Sequence, residues 1–386
     1  MKSSVDFLRE LCSFPHRGSA TKEERKAAAL IREKLEGFGY KVVEQEFRAT
    51  KDNFYLLPVQ VLILAIIGGL LSIFTGLSWL SLLLLVYGLV LLFLEVSGFD
   101  LDLTLMPRCG SQNVYTLPDK LPSKLVIVSA HYDTQRGSFI FHPSFVDRIP
   151  LLFGVSYSGM GLVFLGIILR LFSLSVVPFW FLWIGIALSS IIFLVFFLAY
   201  LGGRYTQGAN DNGSGTALAL FLAQDFKINR ADYPSDTEVL FLFTGSEEAG
   251  TKGMKAFLRK KEKELPRDST KFIVLDNLGT GNVTFLTGEG MILYRKAGKD
   301  LLKVAWEMQK SSPREILEQK NLLLPTDSLP AAASGYQIIS FLGKDRKGRL
   351  GNYHYYTDVF ENVDQDFLRF QEGFFKEYLK RVASLE

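Results

Sequence analysis

Two histidines and five acidic residues stand where this sequence could do metal chemistry. His131 and Asp133 follow the apolar run Lys124-Leu-Val-Ile-Val-Ser-Ala130, and Asp211 sits in Gly208-Ala-Asn-Asp-Asn-Gly-Ser-Gly215. Glu247-Glu248 comes shortly after a run ending at Phe243, Asp276 follows Ile273-Val-Leu275, and His354 lies in Asn352-Tyr-His-Tyr-Tyr-Thr-Asp358. Short apolar runs rich in β-branched and aromatic residues read as buried strands. The polar groups therefore stand at or just after strand ends, where α/β sheets gather their ligands. Five carboxylates and two imidazoles on one edge would be desolvated at high cost unless something positive neutralised them. A divalent metal does this. Histidines and carboxylates without thiols favour zinc, with manganese or cobalt as alternatives. Singly, each piece is weak: a His-x-Asp is commonly a surface pair, a Glu-Glu a solvated helix start, and a glycine-rich stretch a turn before a helix. The glycine-rich stretch also lacks the Lys-Ser/Thr of a phosphate-binding loop, which argues against a nucleotide.

The elements that would carry these groups alternate along the chain. Thr21-Lys-Glu-Glu24 has capping-box spacing ahead of a helix over Ala27–Leu35. Strands are expected over Lys41–Phe47, Asn113–Leu117, Lys124–Ala130, Thr237–Phe243, Lys271–Leu275, Val283–Leu286 and Tyr336–Phe341. A Pro-Asp-Lys turn, residues 118–120, separates the second and third of these. Helices are expected over Ser214–Gln224, Thr251–Lys263, Leu301–Lys310 and Phe367–Leu385. Alternating strands and helices predict an α/β sandwich with a mostly parallel central sheet.

Charge is distributed unevenly. Asn53–Leu94, Ile149–Leu169 and Leu171–Gly203 carry no Asp, Glu, Lys or Arg. Val59–Leu94 is long enough for two membrane spans turning at Gly76-Leu-Ser78, and Ile149–Leu201 fits two more turning near Arg170–Pro178. Trp79, Trp180 and Trp183 fall at interfacial depths. Each block holds an even number of spans, so the chain returns to the same side and the polar pieces can fold as one domain. Arg48, Lys51, Arg108, Arg136, Arg148 and Arg204 flank the spans on that side and only Arg170 lies at a hairpin tip. The positive-inside rule then favours a cytoplasmic domain. The net charge of +3 gives no reason to expect a nucleic-acid partner. Cys12 and Cys109 have no CxxC spacing, so neither a cysteine zinc site nor a disulfide framework is expected. Met1–Thr50 lacks the basic-then-apolar pattern of a signal peptide. His16 and His142 belong to no motif and are read as structural or interfacial.

The ordered set HYD, GANDNGSG, GSEEAGTKG, LDNLG and YHYYTD resembles the M28 family of dinuclear zinc peptidases, as do the N-terminal helix and GYKVVEQEF. The resemblance implies a three-layer, zinc-aminopeptidase-like sandwich, here interrupted by two transmembrane hairpins. It divides the chain into a peptidase domain (1–55, 97–148 and 202–386) and hairpins over 56–96 and 149–201. It implies His131, Asp211, Glu248, Asp276 and His354 as ligands of two zinc ions, with Asp211 bridging. Asp133 would orient His131 through its other ring nitrogen, and Glu247 would be the general base. The implied function is a membrane-bound metallopeptidase acting as an aminopeptidase on short, hydrophobic or membrane-proximal peptides. An amidase on N-acylated lipids or amino acids, a glutaminyl-cyclase-like enzyme and a non-catalytic receptor or scaffold are the alternatives. The expected partners are a peptide or amide substrate and the lipid bilayer; the oligomeric state is left open. Two departures stand out: soluble members lack the apolar blocks, and the Ser-Asp-His-like segment of relatives reads Thr326-Asp327-Ser328.

Overall fold

The computed structural model describes residues 1–101, 105–118, 123–172 and 177–385. The strands are β1 (Val42–Ala49), β2 (Cys109–Thr116), β3 (Lys124–His131), β4 (Arg136–Gly137), β5 (Arg204–Tyr205), β6 (Thr237–Thr244), β7 (Thr270–Asp276), β8 (Asn282–Glu289), β9 (Arg295–Lys296), β10 (Leu317–Asn321) and β11 (Gln337–Lys344). Nine of them form one sheet in the order β1-β2-β6-β3-β7-β11-β8-β10, with β9 on β8. The centre, β6-β3-β7-β11, is parallel, and antiparallel pairings close both sides. β4 and β5 form a separate two-stranded ladder. Parallel strands are covered on both faces and read as continuous apolar runs. Thr237–Thr244 and Thr270–Asp276 are accordingly buried throughout.

The helices are α1 (Ser4–Leu11), α2 (Lys22–Gly37), α3 (Asn53–Thr75), α4 (Ser78–Val96), α5 (Ile149–Leu171), α6 (Val177–Gly202), α7 (Gly215–Ile228), α8 (Lys252–Lys261), α9 (Lys299–Ser311), α10 (Ser328–Ala333) and α11 (Gln365–Ala383). α1, α7, α9 and α11 pack on one side of the sheet and α8 and α10 on the other, giving the expected three layers. α1, β10 and α10 were not expected. α1 is only two turns long and is secured by a capping box between Ser3 and Asp6, too short a signal for periodicity to register.

Among the described residues, four helices are long and apolar enough to cross a membrane, namely α3, α4, the helix ending at Leu171, and α6. Gly76 closes α3 in the left-handed conformation at the expected turn. The second expected turn falls partly, and the Pro-Asp-Lys turn largely, outside the described residues. The apolar helices share a hydrophobic cluster of their own, built on residues such as Tyr55, Leu62, Val163 and Phe196. The sheet and its helices share another.

Candidate metal centre

The C-terminal edge of the parallel strands delivers the polar groups. His131 is the last residue of β3, and its carbonyl accepts a hydrogen bond from Thr216 Oγ1 at 2.7 Å. Asp276 ends β7. β6 hands over to the turn Gly245-Ser246-Glu247-Glu248, which is held from two sides. The Asp133 carboxylate accepts the backbone N–H groups of Glu247 (2.9 Å) and Glu248 (3.2 Å). Glu24 accepts Ser246 N–H (2.9 Å), Ser246 Oγ (3.1 Å) and Ser111 Oγ (3.0 Å). Gly245 cannot carry a side chain, because a Cβ would lie 2.5 Å from the Gln112 carbonyl oxygen. Only half of the capping box at Thr21 forms. Thr21 Oγ1 accepts Glu24 N–H, but Glu24 reaches Ala20 N–H and Ser246 instead of Thr21 N–H.

Asp211 sits in the kinked segment Ala209–Ser214 leading into α7. Asp358 fixes it by accepting the N–H groups of Asn210 (2.6 Å) and Asp211 (3.0 Å). His354 comes from a tight turn at a left-handed φ of 48°, a conformation uncommon outside glycine. Its ring stacks on Tyr353 (centroids 3.7 Å apart) and packs edge-on to Phe141 (4.6 Å). Phe54 of α3 lies 6.1 Å away, which brings a membrane-type helix to the back of this imidazole.

The side chains form two halves around one carboxylate. His131 Nε2 lies 3.4 Å from Asp211 Oδ1 and 3.3 Å from Asp276 Oδ1. His354 Nε2 lies 2.9 Å from Asp211 Oδ2 and 3.2 Å from Glu248 Oε2. Each oxygen of Asp211 thus faces a different imidazole. Donor atoms of His131, Asp211 and Glu248 all fall within 4.8 Å of one another. Glu247 stands beside this set, its Oε2 3.9 Å from His131 Nε2. All seven residues singled out in the sequence are buried or nearly so and meet at one place. Asp133 does so with a difference: its Oδ1 is 3.5 Å from His131 Nδ1, too long for a full hydrogen bond, and its firmer contacts are to the Glu247-Glu248 turn.

The electrostatics fit a divalent cation. Burial works against a charged ring, but Glu248 and Asp211 outweigh it and raise His354 to about 10. His131 is likewise raised, burial being overcome by Glu247, Asp133, Asp211 and Asp276. Burial would raise Asp211, yet the two histidines beside it hold it well below the usual carboxylate range. Burial lifts Glu248 to about 7 despite His354. Glu248 Oε1 is buried without a hydrogen-bond partner, and Asp211 Oδ2 approaches His354 without hydrogen-bond geometry. Carboxylates and imidazole nitrogens converging with spare lone pairs are the donor set of zinc, and they fit it.

Four neighbours escaped the sequence reading or its emphasis. Gln135 Nε2 donates to Glu248 Oε2 at 3.1 Å. Asp327, in the segment that departs from relatives, is buried near His131 and Asp276, accepts from Thr244 Oγ1, and is raised to about 7 by burial. Asp358 was quoted only as the end of a motif. Arg17 is fully buried and donates to the carbonyls of Tyr132 (2.7 Å), Gln207 (2.8 Å) and Gly208 (2.8 Å), tying the His131 and Asp211 loops together. Nothing in the spacing of a lone arginine signals that role. His16 stacks on Tyr205 and His142 accepts Ser144 N–H, structural roles as expected. Both cysteines are free.

A cleft of about 620 Å³ opens over the centre, lined by six of the seven residues and by Phe141, Leu324 and Tyr355. The chain is 28% identical over 171 residues to aminopeptidase YwaD of Bacillus subtilis, a stretch covering 43% of this chain and 35% of that protein. The alignment thus spans about a third of the relative's length. Among solved structures, a zinc aminopeptidase from Bacillus subtilis superposes with a TM-score of 0.56 at 14% identity, covering 99% of this chain and 95% of that one. The glutaminyl cyclase of Bacteroides thetaiotaomicron gives 0.57 at 14% identity, covering 100% and 97%. At such identity these likenesses establish the fold. Residues 195–373, which hold Asp211, Glu247, Glu248, Asp276 and His354, match the model of peptidase family M28.

Proposed function

We propose that the chain is a membrane-bound metallopeptidase with a dinuclear zinc site, acting as an aminopeptidase on short or hydrophobic peptides. The observation that carries this reading is the division of Asp211 between two imidazoles, with Asp276 on one half and Glu248 on the other. His131, Asp211 and Asp276 would hold one ion and His354, Asp211 and Glu248 the second. When bound, the ions would polarise the scissile carbonyl and acidify a water to near neutral pH. Glu247, adjacent to the donors but outside them, takes the proton of the attacking water and returns it to the leaving amine. Burial raises its carboxyl well above the usual range, which brings it toward the pH at which it must both accept and give a proton. Asp133 keeps Glu247 and Glu248 divided between these roles by fixing the backbone of both.

The peptidase domain comprises 1–55, 97–148 and 202–386, and the spans 56–96 and 149–201 anchor it in the bilayer. The excess of Arg and Lys at the domain-side ends of the spans supports a cytoplasmic placement. The second hairpin lies between His131 and Asp211, so its ends emerge beside the centre. The substrates that follow from this are amphipathic or membrane-proximal peptides. A glutaminyl-cyclase-like or amidase reading shares the fold and the donors and differs in the bond attacked.

Glu247→Gln is the test. It should retain metal and fold while peptide hydrolysis falls by at least about 100-fold, the usual worth of a general base. Hydrolysis at the wild-type rate would remove Glu247 from the mechanism, and cyclisation or amide cleavage without peptide turnover would favour the alternatives.

A further inference from the structure

Two charge-free loops of the catalytic domain reach down among the membrane-type helices. Gly290-Met-Ile-Leu-Tyr294 follows β8 and Leu322-Leu-Leu-Pro325 follows β10. β8 and β10 are parallel neighbours, so the loops leave side by side, joined by Gly290 N–H donating to the Asn321 carbonyl at 3.0 Å. Three helices set their depth. Met291 and Leu323 border the same hollow as Leu57 of α3, Leu92 of α4 and Phe153 of α5. Each of these lies four residues from the domain-side end of its helix, at Asn53, Val96 and Ile149 respectively. That is about one turn, or ~6 Å, inside the spans. Tyr157 Oη agrees, donating to Met291 Sδ at 3.2 Å. Tyr157 itself is deeper on α5, but helical side chains tilt toward the helix N-terminus and carry the hydroxyl back by about a turn. At this level the loops turn apolar side chains outward: Ile292 is 50%, Leu322 56% and Leu323 38% exposed. Three large apolar side chains on adjoining loops form a patch of the kind that marks an interaction surface. Lys320 and Lys347 line one shallow hollow with Leu322 and Leu323, placing cations beside the apolar tip.

Resting on the membrane-bound reading, we propose that loops 290–294 and 322–325 insert into the boundary between headgroups and acyl chains of the bilayer. Continuity selects lipid as the occupant. The patch adjoins the spans below their ends, where lipid surrounds the helices, and ~6 Å falls within the roughly 5–10 Å at which interfacial segments lie. The lysines beside it suit anionic headgroups. The consequence concerns access to the metal centre. Leu323 and Leu324 line the cleft together with Ile149 and Pro150 of α5. One rim of the cleft is therefore seated in lipid, and a peptide already partitioned into the bilayer surface enters there without first crossing open water.

The test uses the full chain, with Cys12→Ser and Cys109→Ser, in vesicles of phosphatidylcholine and phosphatidylglycerol. A single nitrobenzoxadiazole label is attached at Ile292→Cys, Leu322→Cys, Ile228→Cys or Leu83→Cys. Ile228 is an exposed apolar residue at the end of α7 in the domain, and Leu83 is an exposed residue within α4. Labels at 292 and 322 should emit to the blue and be quenched more by a spin label near the headgroup end of the acyl chain than by one at its terminus. The label at 228 should emit as in water and escape both quenchers. Two loop sites keep the test open if one variant does not fold. Water-like emission at 292 and 322 with quenching at 83 would overturn the proposal and leave the spans standing, as would equal quenching at 228 and 292. No quenching at 83 would sink the membrane-bound reading itself. Turnover reads the consequence: Ile292→Asp with Leu322→Asp should spare a short water-soluble peptide. It should slow cleavage of a peptide held in the vesicle by a C-terminal alkyl tail by about 10-fold, the worth of one large apolar side chain kept from lipid. Equal effects on the two peptides would remove the lipid-side entry.

Discussion

Glu95 tests whether the first hairpin is an integral part of the catalytic domain or a tether. It stands in the last turn of α4, where one carboxylate gathers Asn53 from the start of α3 and Lys252 and Lys255 from α8. The side chains of Glu95, Lys252 and Lys255 are 17%, 8% and 3% exposed, so solvent screens them little. Lys255 Nζ also donates to the Gly250 carbonyl at 3.0 Å, only two residues beyond Glu248. Glu95→Ala therefore removes the carboxylate between two buried ammonium groups and loosens the turn that carries Glu247 and Glu248. Breaking one partner out of a buried pair costs roughly 3–5 kcal/mol. At about 2 °C per kcal/mol for a chain of this size, Tm should fall by about 6–10 °C. Glu95→Gln keeps an acceptor for Asn53 but loses the ion pairs, and should cost about half as much. Replacing Glu95, Lys252 and Lys255 together by Leu, Met and Met should recover most of the loss, because well-packed apolar residues commonly replace buried ions without penalty. The assay is thermal unfolding of the detergent-purified chain, with peptide turnover on the same samples. A Tm within about 2 °C of wild type for Glu95→Ala, with turnover intact, would refute this reasoning and leave the hairpin a passive anchor.

Two further outcomes follow from buried groups outside the donor set. Arg17→Ala leaves three buried carbonyls without their charged donor and should cost about 4 kcal/mol, at 1.5–3 kcal/mol for each such bond with partial relaxation. Because those carbonyls belong to the His131 and Asp211 loops, zinc should also be lost to a chelator on the order of 10-fold more readily, which timed metal release measures. Glu289 is buried against Thr326 and Ser328, and burial raises it from 4.5 to about 7. The folded state then holds the proton at a pH where the unfolded chain has lost it, so this group favours folding below about 4.5 and its contribution is lost as pH rises toward 7. Glu289→Gln should remove that dependence and stabilise the chain at pH 8 by up to about 3 kcal/mol, seen as a flatter Tm-versus-pH curve; an unchanged curve would contradict it.

Much of this was legible in the sequence because the signals were local. β3, β6 and β7 are buried on both faces, so each announced itself as an unbroken apolar run ending in a polar residue. The four long helices announced themselves by the absence of charge. The seven candidate residues were picked out because a parallel sheet delivers the ends of its strands, and the loops that follow them, to one edge. What was not legible depends on contacts between distant segments. Arg17 meets Gly208 across 191 positions, and Glu24 meets Ser246 across 222. No period or spacing encodes such a pair. The capping box misled for the same reason: Glu24 has the spacing of a local cap, but a buried hydroxyl and N–H near the centre claimed part of its carboxylate.

In the proposed site Asp211 is shared between two metal ions. Metal analysis of the purified full chain, beside its Asp211→Ala and Asp276→Ala variants, tests it most directly. Two zinc ions per chain are expected in the wild type, none retained tightly without Asp211, and one retained without Asp276. A wild-type ratio of one, or two ions that survive the loss of Asp211, would contradict it.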